Sequence, residues 1–404
     1  MTIPACATAH LSPLEGSRMS ESASMSTSAS TRPDVMFVVN NLGIGGSERK
    51  TVRLANRLKE EGVNVQLACL NGPFTIEQGI RRDVPLRKLE RTGKFSFGAL
   101  WRLRQALLQE RPATVIAVNL YQALYVALAT RFIGYRPRTV ALVNTSTFRG
   151  HRAVKRLYQF VLARFDVTVH GCEAQRAFWF RTQCAAWKKS TVIYNGVDSD
   201  HFESTRSFEA AKRLRAKLGL KPDSLLFGTV GRLAPEKNQE VLLTTLRRLR
   251  VARVDAHLVL AGGGPLRQHL LRRAAALEVA DRVHFIGEVD DVRPTLAALD
   301  VFVLPSIAVE SFSNAALEAM SMGRPVILSN IGGAREMIND GVEGYVVSPT
   351  ELAARLPAII AALYSDRRKR LQMGAAARSR VVSCFSVPAM VAGYRGVMRH
   401  GESE

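Results

Sequence analysis

The sequence predicts an α/β protein in which two doubly wound parallel sheets are each flanked by helices. Three observations predict it. Short apolar runs alternate with amphipathic stretches from Val35 onward, the alternation pauses near Asn195-Gly196 and then resumes, and 404 residues exceed what one core holds, since a typical domain has about 100–200. Alternation of this kind is the signature of a parallel sheet wound with helices.

The first set of strands opens with VMFVVN, which leads into a helix near Glu48–Glu61, and continues through VNVQLACL, TVIAVN, TVALVN and DVTVH with helical patterns between them. The stretch from Thr114 to Thr130 is uncharged but falls just short of membrane-spanning length. It holds Asn119 and Gln122 near its middle, so it is expected to be a buried strand followed by a helix. The second set is LLFGTVG, AHLVLAG, RVHFIG, DVFVLP and PVILSN. Between the sets lies VIYNGVDSDHFESTRSFEA, where an apolar strand ends in Asn195-Gly196 and polar residues follow, the composition of a hinge. The expected boundaries are a disordered Ser/Ala/Thr-rich segment over 1–33, a first domain over 34–195, a second over 196–383, and a terminal helix over 384–404 that packs back on the first domain. The N-terminal segment lacks a signal-peptide pattern and contains Met19 and Met25 as later possible starts.

Composition narrows the function. Lys and Arg number 56 against 35 Asp and Glu, a net charge of +21, which favours an anionic partner: a phosphate-bearing substrate, nucleic acid or an anionic membrane surface. Motifs of the common nucleic-acid modules are missing and the aromatic residues form no stacking platform, so nucleic acid is not expected. Five cysteines lie far apart without a CxxC pair, which points to a reducing cytosol. The eight histidines show no HExxH or Cys/His spacing, and no metal ligand set is expected. Asp198-Ser199-Asp200 spells DxD, yet its place in NGVDSDHF suits a turn or cap.

The densest chemistry lies in ESFSNAALEAMSMGRPVILSNIGG. The strand DVFVLP runs into a loop and then a helix whose start carries Ser311, Ser313 and Asn314, residues suited to capping, and free N–H groups at a helix start suit a diphosphate. Glu318 sits on an otherwise apolar helix, where a carboxylate is costly unless a polar group such as a ribose diol meets it; an ordinary half-exposed helix Glu is the plainer alternative. In GTVGRLAPEKNQEVLL, Arg232 and Lys237 flank one loop after a strand and could neutralise a leaving diphosphate, or equally form a solvated basic loop. LGIGGSER offers Gly43, Gly45 and Gly46 for close backbone approach to a phosphate or sugar. GxGxxG is not spelled out there and no acidic residue ends the second strand, which disfavours a nicotinamide enzyme.

Glu310 and Glu318, with seven residues between them, together with G-R-x-x-x-x-K at Gly231 to Lys237 and NGVD at Asn195 to Asp198, resemble the EX7E pattern and companion motifs of the retaining glycosyltransferases of family 4. The resemblance runs from Val35 to the C-terminus. It implies the GT-B fold, two Rossmann-like domains facing an interdomain cleft, and transfer of a sugar from a nucleoside-diphosphate donor, UDP- or GDP-linked, to a glycan or lipid-linked acceptor without a metal ion or other cofactor. It implies that Glu318 binds the donor ribose, Glu310 contacts the transferring sugar, and the backbone at Phe312, Ser313 and Asn314 holds the diphosphate or sugar. It places Arg232 and Lys237 on the donor phosphates, Gly45 and Gly46 on the first-domain wall, and Ile286 and Gly287 near the base. One departure stands out: where many members carry a His after the strand corresponding to TVALVN, this chain has Asn144-Thr145-Ser146, with His151 nearby. The alternatives are a catalytically silent nucleotide-sugar-binding subunit, or another reaction on the same architecture such as nucleotide-sugar epimerisation. Two basic stretches with interleaved aromatics, Arg81–Arg104 with Phe95, Phe97 and Trp101, and Arg149–Arg164 with Tyr158 and Phe160, are candidates for peripheral contact with the inner face of a membrane, or are ordinary solvated helices.

Overall fold

A computed structural model describes residues 32–43, 45–144, 152–182 and 186–399. Thr145, Ser146 and His151 lie outside the described residues, as does almost all of the N-terminal segment. In chain order the first domain contains β1 (Val35–Val39), α1 (Gly46–Glu60), β2 (Val65–Cys69), β3 (Leu86–Lys88), α2 (Phe97–Glu110), β4 (Thr114–Val118), α3 (Leu120–Ala129), β5 (Arg138–Val143), α4 (Arg152–Leu162), β6 (Val167–His170), α5 (Glu173–Arg181) and β7 (Ser190–Val192). Then follow α6 (Phe208–Lys217), β8 (Leu225–Val230), α7 (Glu240–Val251), β9 (Ala256–Ala261), α8 (Arg267–Ala276), β10 (Val283–Gly287), α9 (Arg293–Ala298), β11 (Val301–Leu304), α10 (Asn314–Ser321), β12 (Val326–Ser329), α11 (Ala334–Met337), β13 (Gly344–Val347), α12 (Leu352–Ser365), α13 (Arg367–Cys384) and α14 (Val387–Met398).

The strands form two wholly parallel sheets, ordered β3-β2-β1-β4-β5-β6-β7 and β10-β9-β8-β11-β12-β13. Central strands such as β1, β2 and β4 are buried at every position, which is why they read as unbroken apolar runs rather than alternating ones. The edge strands of both sheets depart from that pattern. β3 (LRK) is a three-residue edge strand with too little apolar character to announce itself, and β7 (STV), at the opposite edge, is the strand expected to run on to Asn195. β13 lies at the far edge of the second sheet, and β7 stops at Val192, short of Asn195.

Winding direction reverses between β1 and β4 in the first sheet and between β8 and β11 in the second. At such a reversal, the loops leaving the carboxyl ends of two adjacent strands diverge to opposite faces and open a crevice. The loops after β8 and β11 carry Arg232, Lys237 and Glu310, and the loop after β1 carries Gly45 and Gly46.

The chain crosses between the domains twice, once outward at Asn195 to Val197 and once back after α13, and the two crossings touch through a bridge between Val197 and Ser386. A side chain at Gly196 would come within 2.5 Å of the Ser386 carbonyl oxygen, so only glycine permits the contact. α14 then buries Val387, Met390, Val391 and Tyr394 in the same apolar cluster as β1, β2 and α1 of the first sheet. Arg138 Nε donates to the Val397 carbonyl at 2.6 Å and Arg395 pairs with Glu61 at 3.0 Å, tying the chain's end to the first domain.

Candidate functional site

On the second-domain side, the loops after β8 and β11 are laced together. Lys237 Nζ donates to Glu310 Oε1, the Ser306 hydroxyl donates to the same oxygen at 3.1 Å, and Ile307 N–H donates to the Glu236 carbonyl at 2.9 Å. Glu310 thus has a cation and a hydroxyl to offset its largely buried carboxylate. Arg232 is exposed one position beyond Gly231 and lines a cavity of about 500 Å³ with Gly262, Gly263, Glu288 and Asp290, to which the first domain contributes Arg49 of α1. Residues distant in sequence therefore stand around one crevice at the reversal of the second sheet.

The segment before α10 is held in an uncommon shape. Val309, a β-branched residue, has φ of +64°, a conformation that costs about 1–3 kcal/mol and persists only where the surroundings enforce it. The enforcing contact is a turn: Gly332, at φ +54°, lies so close that a Cβ would meet the Glu310 carbonyl oxygen at 2.4 Å, and Gly333 N–H donates to the Ser311 carbonyl at 2.7 Å. Ser313 is the N-cap of α10, its hydroxyl accepting from Ala316 N–H at 3.3 Å, so its side chain serves the helix and its neighbours' N–H groups form the open end. Phe312 is an anchor: its ring packs on Tyr194 and Phe385, and its carbonyl accepts from Asn195 Nδ2 at 2.8 Å. The carbonyl there is occupied, which leaves N–H groups as the backbone's offer to a ligand. Asn314 reaches across the domains, Nδ2 donating to the Gly46 carbonyl at 3.3 Å. Glu318 faces Arg53 of α1 at 3.8 Å. Burial pushes its carboxyl above the usual range, and Arg53 and Arg49 oppose that shift.

The structure adjusts the expectation for the base. Ile286 packs against the apolar core of the second domain, and Gly287, at φ +75°, spends its carbonyl on Gly262 N–H. Neither lines the cavity. The strand ends at Gly287, so the residues that turn toward the cavity are the next ones, Glu288, Val289 and Asp290. Asp198 is likewise used locally: its carboxylate accepts from the N–H groups of Asp200 and His201 at 3.2 and 3.0 Å, an ordinary turn. Among the described residues no group of three or more acidic, His or Cys side chains is placed to hold a metal.

On the first-domain side, Gly45 is the N-cap of α1 with extended backbone, and a Cβ there would meet only the Glu48 carboxylate, so geometry does not demand glycine. Gly46 meets the second domain, 3.6 Å separating its Cβ position from Asn314 Nδ2. One turn along the same helix, Lys50 is buried, and its Nζ donates to Asn144 Oδ1 at 3.1 Å while Asn144 Nδ2 donates to the Ser47 hydroxyl at 2.7 Å. Sequence reasoning passed over Lys50, although it continues the buried stripe of Leu54 and Leu58 at helical spacing, a place where a lysine is out of character. It also passed over Glu336 of α11. That carboxylate crosses to the first domain, accepting from the N–H groups of Glu173 and Ala174 at the start of α5, at 2.7 and 2.8 Å, and from the Tyr194 hydroxyl at 3.0 Å. His170, at the end of β6, is fully buried, and burial lowers its pKa to about 4.

Comparison with known proteins agrees with this architecture. The family profile described as Glycosyl transferases group 1 matches residues 211–380, and that of Glycosyltransferase Family 4 matches residues 44–201. The GDP-mannose-dependent alpha-(1-6)-phosphatidylinositol monomannoside mannosyltransferase of Mycobacterium tuberculosis is 37% identical over 197 residues, covering 46% of this chain and 50% of that protein. The match thus spans only half the length of that relative. The lipopolysaccharide core biosynthesis mannosyltransferase LpsB of Rhizobium meliloti is 31% identical over 253 residues, covering 60% of this chain and 68% of the other. In fold, the chain superposes on HepE of Anabaena, solved in complex with UDP, with a TM-score of 0.79 at 20% identity over 90% of this chain and 99% of that one. Two parallel Rossmann-like sheets, profiles matching one half each, and a relative matched over most of its length lead to one assignment: the chain belongs to the group 1, family 4 glycosyltransferases and has their GT-B fold.

Proposed function

We propose that this protein transfers a sugar from a nucleoside-diphosphate-sugar to a glycan or lipid-linked acceptor, with retention of anomeric configuration and without a metal ion. The observation that carries the reading is that the loops leaving the adjacent strands β8 and β11 carry Arg232, which lines the cavity, Lys237 paired with Glu310, and the start of α10. Two cations and a helix N-terminus are what a departing diphosphate needs, since pre-placed positive groups stabilise charge that develops in the transition state. In the proposed reaction the bond from the anomeric carbon to the diphosphate oxygen breaks and a bond to the acceptor oxygen forms on the same face. The acceptor's proton passes to the leaving phosphate. Glu318, already meeting Arg53 across the cleft, would receive the donor ribose.

The relatives bear on the substrates. The mycobacterial protein is named for GDP-mannose and a phosphatidylinositol glycolipid, LpsB for the lipopolysaccharide core, and HepE was solved with UDP. A lipid-linked acceptor also suits the surface. Phe97 and Trp101 on α2 are 79% and 61% exposed, Phe132 just after α3 is 82% exposed, and Phe160 on α4 is 54% exposed. Arg131 and Arg164 stack beside Phe132 and Phe160. Aromatic rings interleaved with arginine suit an anionic leaflet, and no helix among the described residues is long and apolar enough to cross one.

A thermal-shift panel of UDP- and GDP-sugars tests the donor, because a ligand of the folded state raises its stability. Labelled donor with glycolipid acceptors, in the presence of chelator, then tests transfer, and the anomeric configuration of the product tests retention. Donor binding with neither transfer nor donor hydrolysis across acceptors would instead favour a nucleotide-sugar-binding subunit.

A further inference from the structure

In the loops after β8 and β11 Lys237 has a carboxylate partner, but Lys50 on α1 of the first domain has none among the described residues. Lys50 is 6% exposed, its ammonium has three N–H groups, and its hydrogen bond is to the neutral Asn144 amide. Among the described residues it forms no ion pair, and burial alone lowers its pKa to about 8, with no neighbouring charge adding to or offsetting that shift. A buried, uncompensated ammonium is expensive unless an anion arrives to meet it.

Its position says where such an anion would come from. Asn144 follows β5, and its N–H donates to Asn119 Oδ1 at the end of β4, so the amide is fixed from two sides at the carboxyl edge of the first sheet. Lys50 lies on α1 one turn from Gly46, whose carbonyl meets Asn314 at the start of α10. The ammonium is thus held by a residue at the carboxyl edge of the first sheet, on the helix whose first turn meets the start of α10.

We propose that Lys50 is a donor-binding residue: held by Asn144, it donates to the distal phosphate of the nucleoside-diphosphate-sugar and so gives the first domain its grip on the leaving group. This rests on the donor reading above. Binding would exchange an uncompensated charge for a charge-assisted hydrogen bond, so the lysine would favour the closed, donor-bound cleft over the empty one.

The test compares nucleoside monophosphate, nucleoside diphosphate and nucleotide-sugar, with UDP and GDP series, by calorimetry at pH 8. In the wild type the distal phosphate should tighten binding, and binding should take up protons, visible as a dependence of the heat on buffer ionisation enthalpy. Lys50→Met should lose about 10- to 100-fold of the affinity gained from the distal phosphate, and most of the proton uptake. It should leave nucleoside monophosphate affinity unchanged. Asn144→Ala, which frees the lysine without removing its charge, should weaken diphosphate binding less and keep the proton uptake, a result that a purely structural lysine would not produce. Melting temperatures show whether each variant folds, and methionine suits a buried, unbranched position. If Lys50→Met binds diphosphate and takes up protons as the wild type does, the assignment of Lys50 is overturned while the donor reading stands. If the wild type binds no nucleoside diphosphate at all, the donor reading falls and this assignment with it.

Discussion

Two lysines, one in each domain, are partnered in opposite ways. In the second domain Lys237 is neutralised in advance by Glu310, which also accepts from Ser306, and the two loops that carry the pair are joined by a main-chain hydrogen bond from Ile307 to Glu236. In the first domain Lys50 is buried against an amide alone. A paired cation stabilises its own loop and must be shared when a ligand comes. An unpaired one destabilises its own domain and is relieved when a ligand comes. The second domain's wall is thus built to keep its shape, and the first domain's to respond.

The largest expected effect is on the prepared wall. Lys237→Ala removes a charge proposed to meet the diphosphate and strands the Glu310 carboxylate beside Ser306, so kcat should fall about 10²- to 10³-fold in a steady-state assay with labelled donor. Glu310→Gln keeps the shape of the loop and frees the lysine. If Lys237→Ala retained wild-type kcat, the contrast between the walls would lose its catalytic meaning.

Next in size is the stability cost on the responsive wall, and its sign with pH is definite. The Lys50 pKa falls from 10.5 to about 8 in the folded chain. Between those values the unfolded chain holds a proton that the folded chain does not, so unfolding free energy should rise as pH climbs from about 8 to 10.5, and the full penalty is present below 8. The penalty is about 3 kcal/mol at most. Lys50→Met should therefore be more stable than wild type at pH 7 and lack that slope in urea titrations across the alkaline range, even as it loses donor affinity. A variant less stable at pH 7 with the slope intact would show that the charge is already met.

Smaller again is the tie that keeps the walls facing each other. Glu336→Ala leaves two N–H groups at the start of α5 and the Tyr194 hydroxyl without their acceptor, a loss of about 1–3 kcal/mol. Because those partners belong to the other domain, denaturation should become less cooperative, with the two domains separable by domain-specific probes. A single transition shifted without broadening would mean the apolar contacts between domains suffice.

The same contrast explains what was legible in sequence. Buried parallel strands must be apolar on both faces, so β1, β4, β8 and β11 stood out and β7 was read two or three residues late, while the short edge strands β3 and β13 were not seen. The prepared wall was legible because its charges occupy short loops between a strand and a helix. The responsive wall was not, because its logic is a pairing of Lys50 with a residue 94 positions away, and Glu336 meets Tyr194 across 142. The cavity lined by Arg232 takes in Glu288, Val289 and Asp290 rather than Ile286 and Gly287 because β10 ends at Gly287, and strand ends are among the least certain features of a sequence.

The smallest effect concerns the exposed face of α2. Phe97 and Trp101 stand exposed on α2 while Ala99, Leu103, Ala106 and Leu107 of the same helix fill the core beneath. Replacing both aromatics by serine removes no buried contact of consequence, so unfolding free energy should change by no more than about 0.5 kcal/mol. Binding to vesicles containing anionic lipid, measured by sedimentation at low salt, should nevertheless drop, and the wild-type binding should weaken with added salt as interactions at a charged leaflet do. Turnover of a soluble acceptor analogue should stay unchanged, because these rings do not line the cavity that holds Arg232. Equal partition of the wild type onto neutral and anionic vesicles would detach this face from the acceptor, and leave the cleft's two walls to account for substrate choice by themselves.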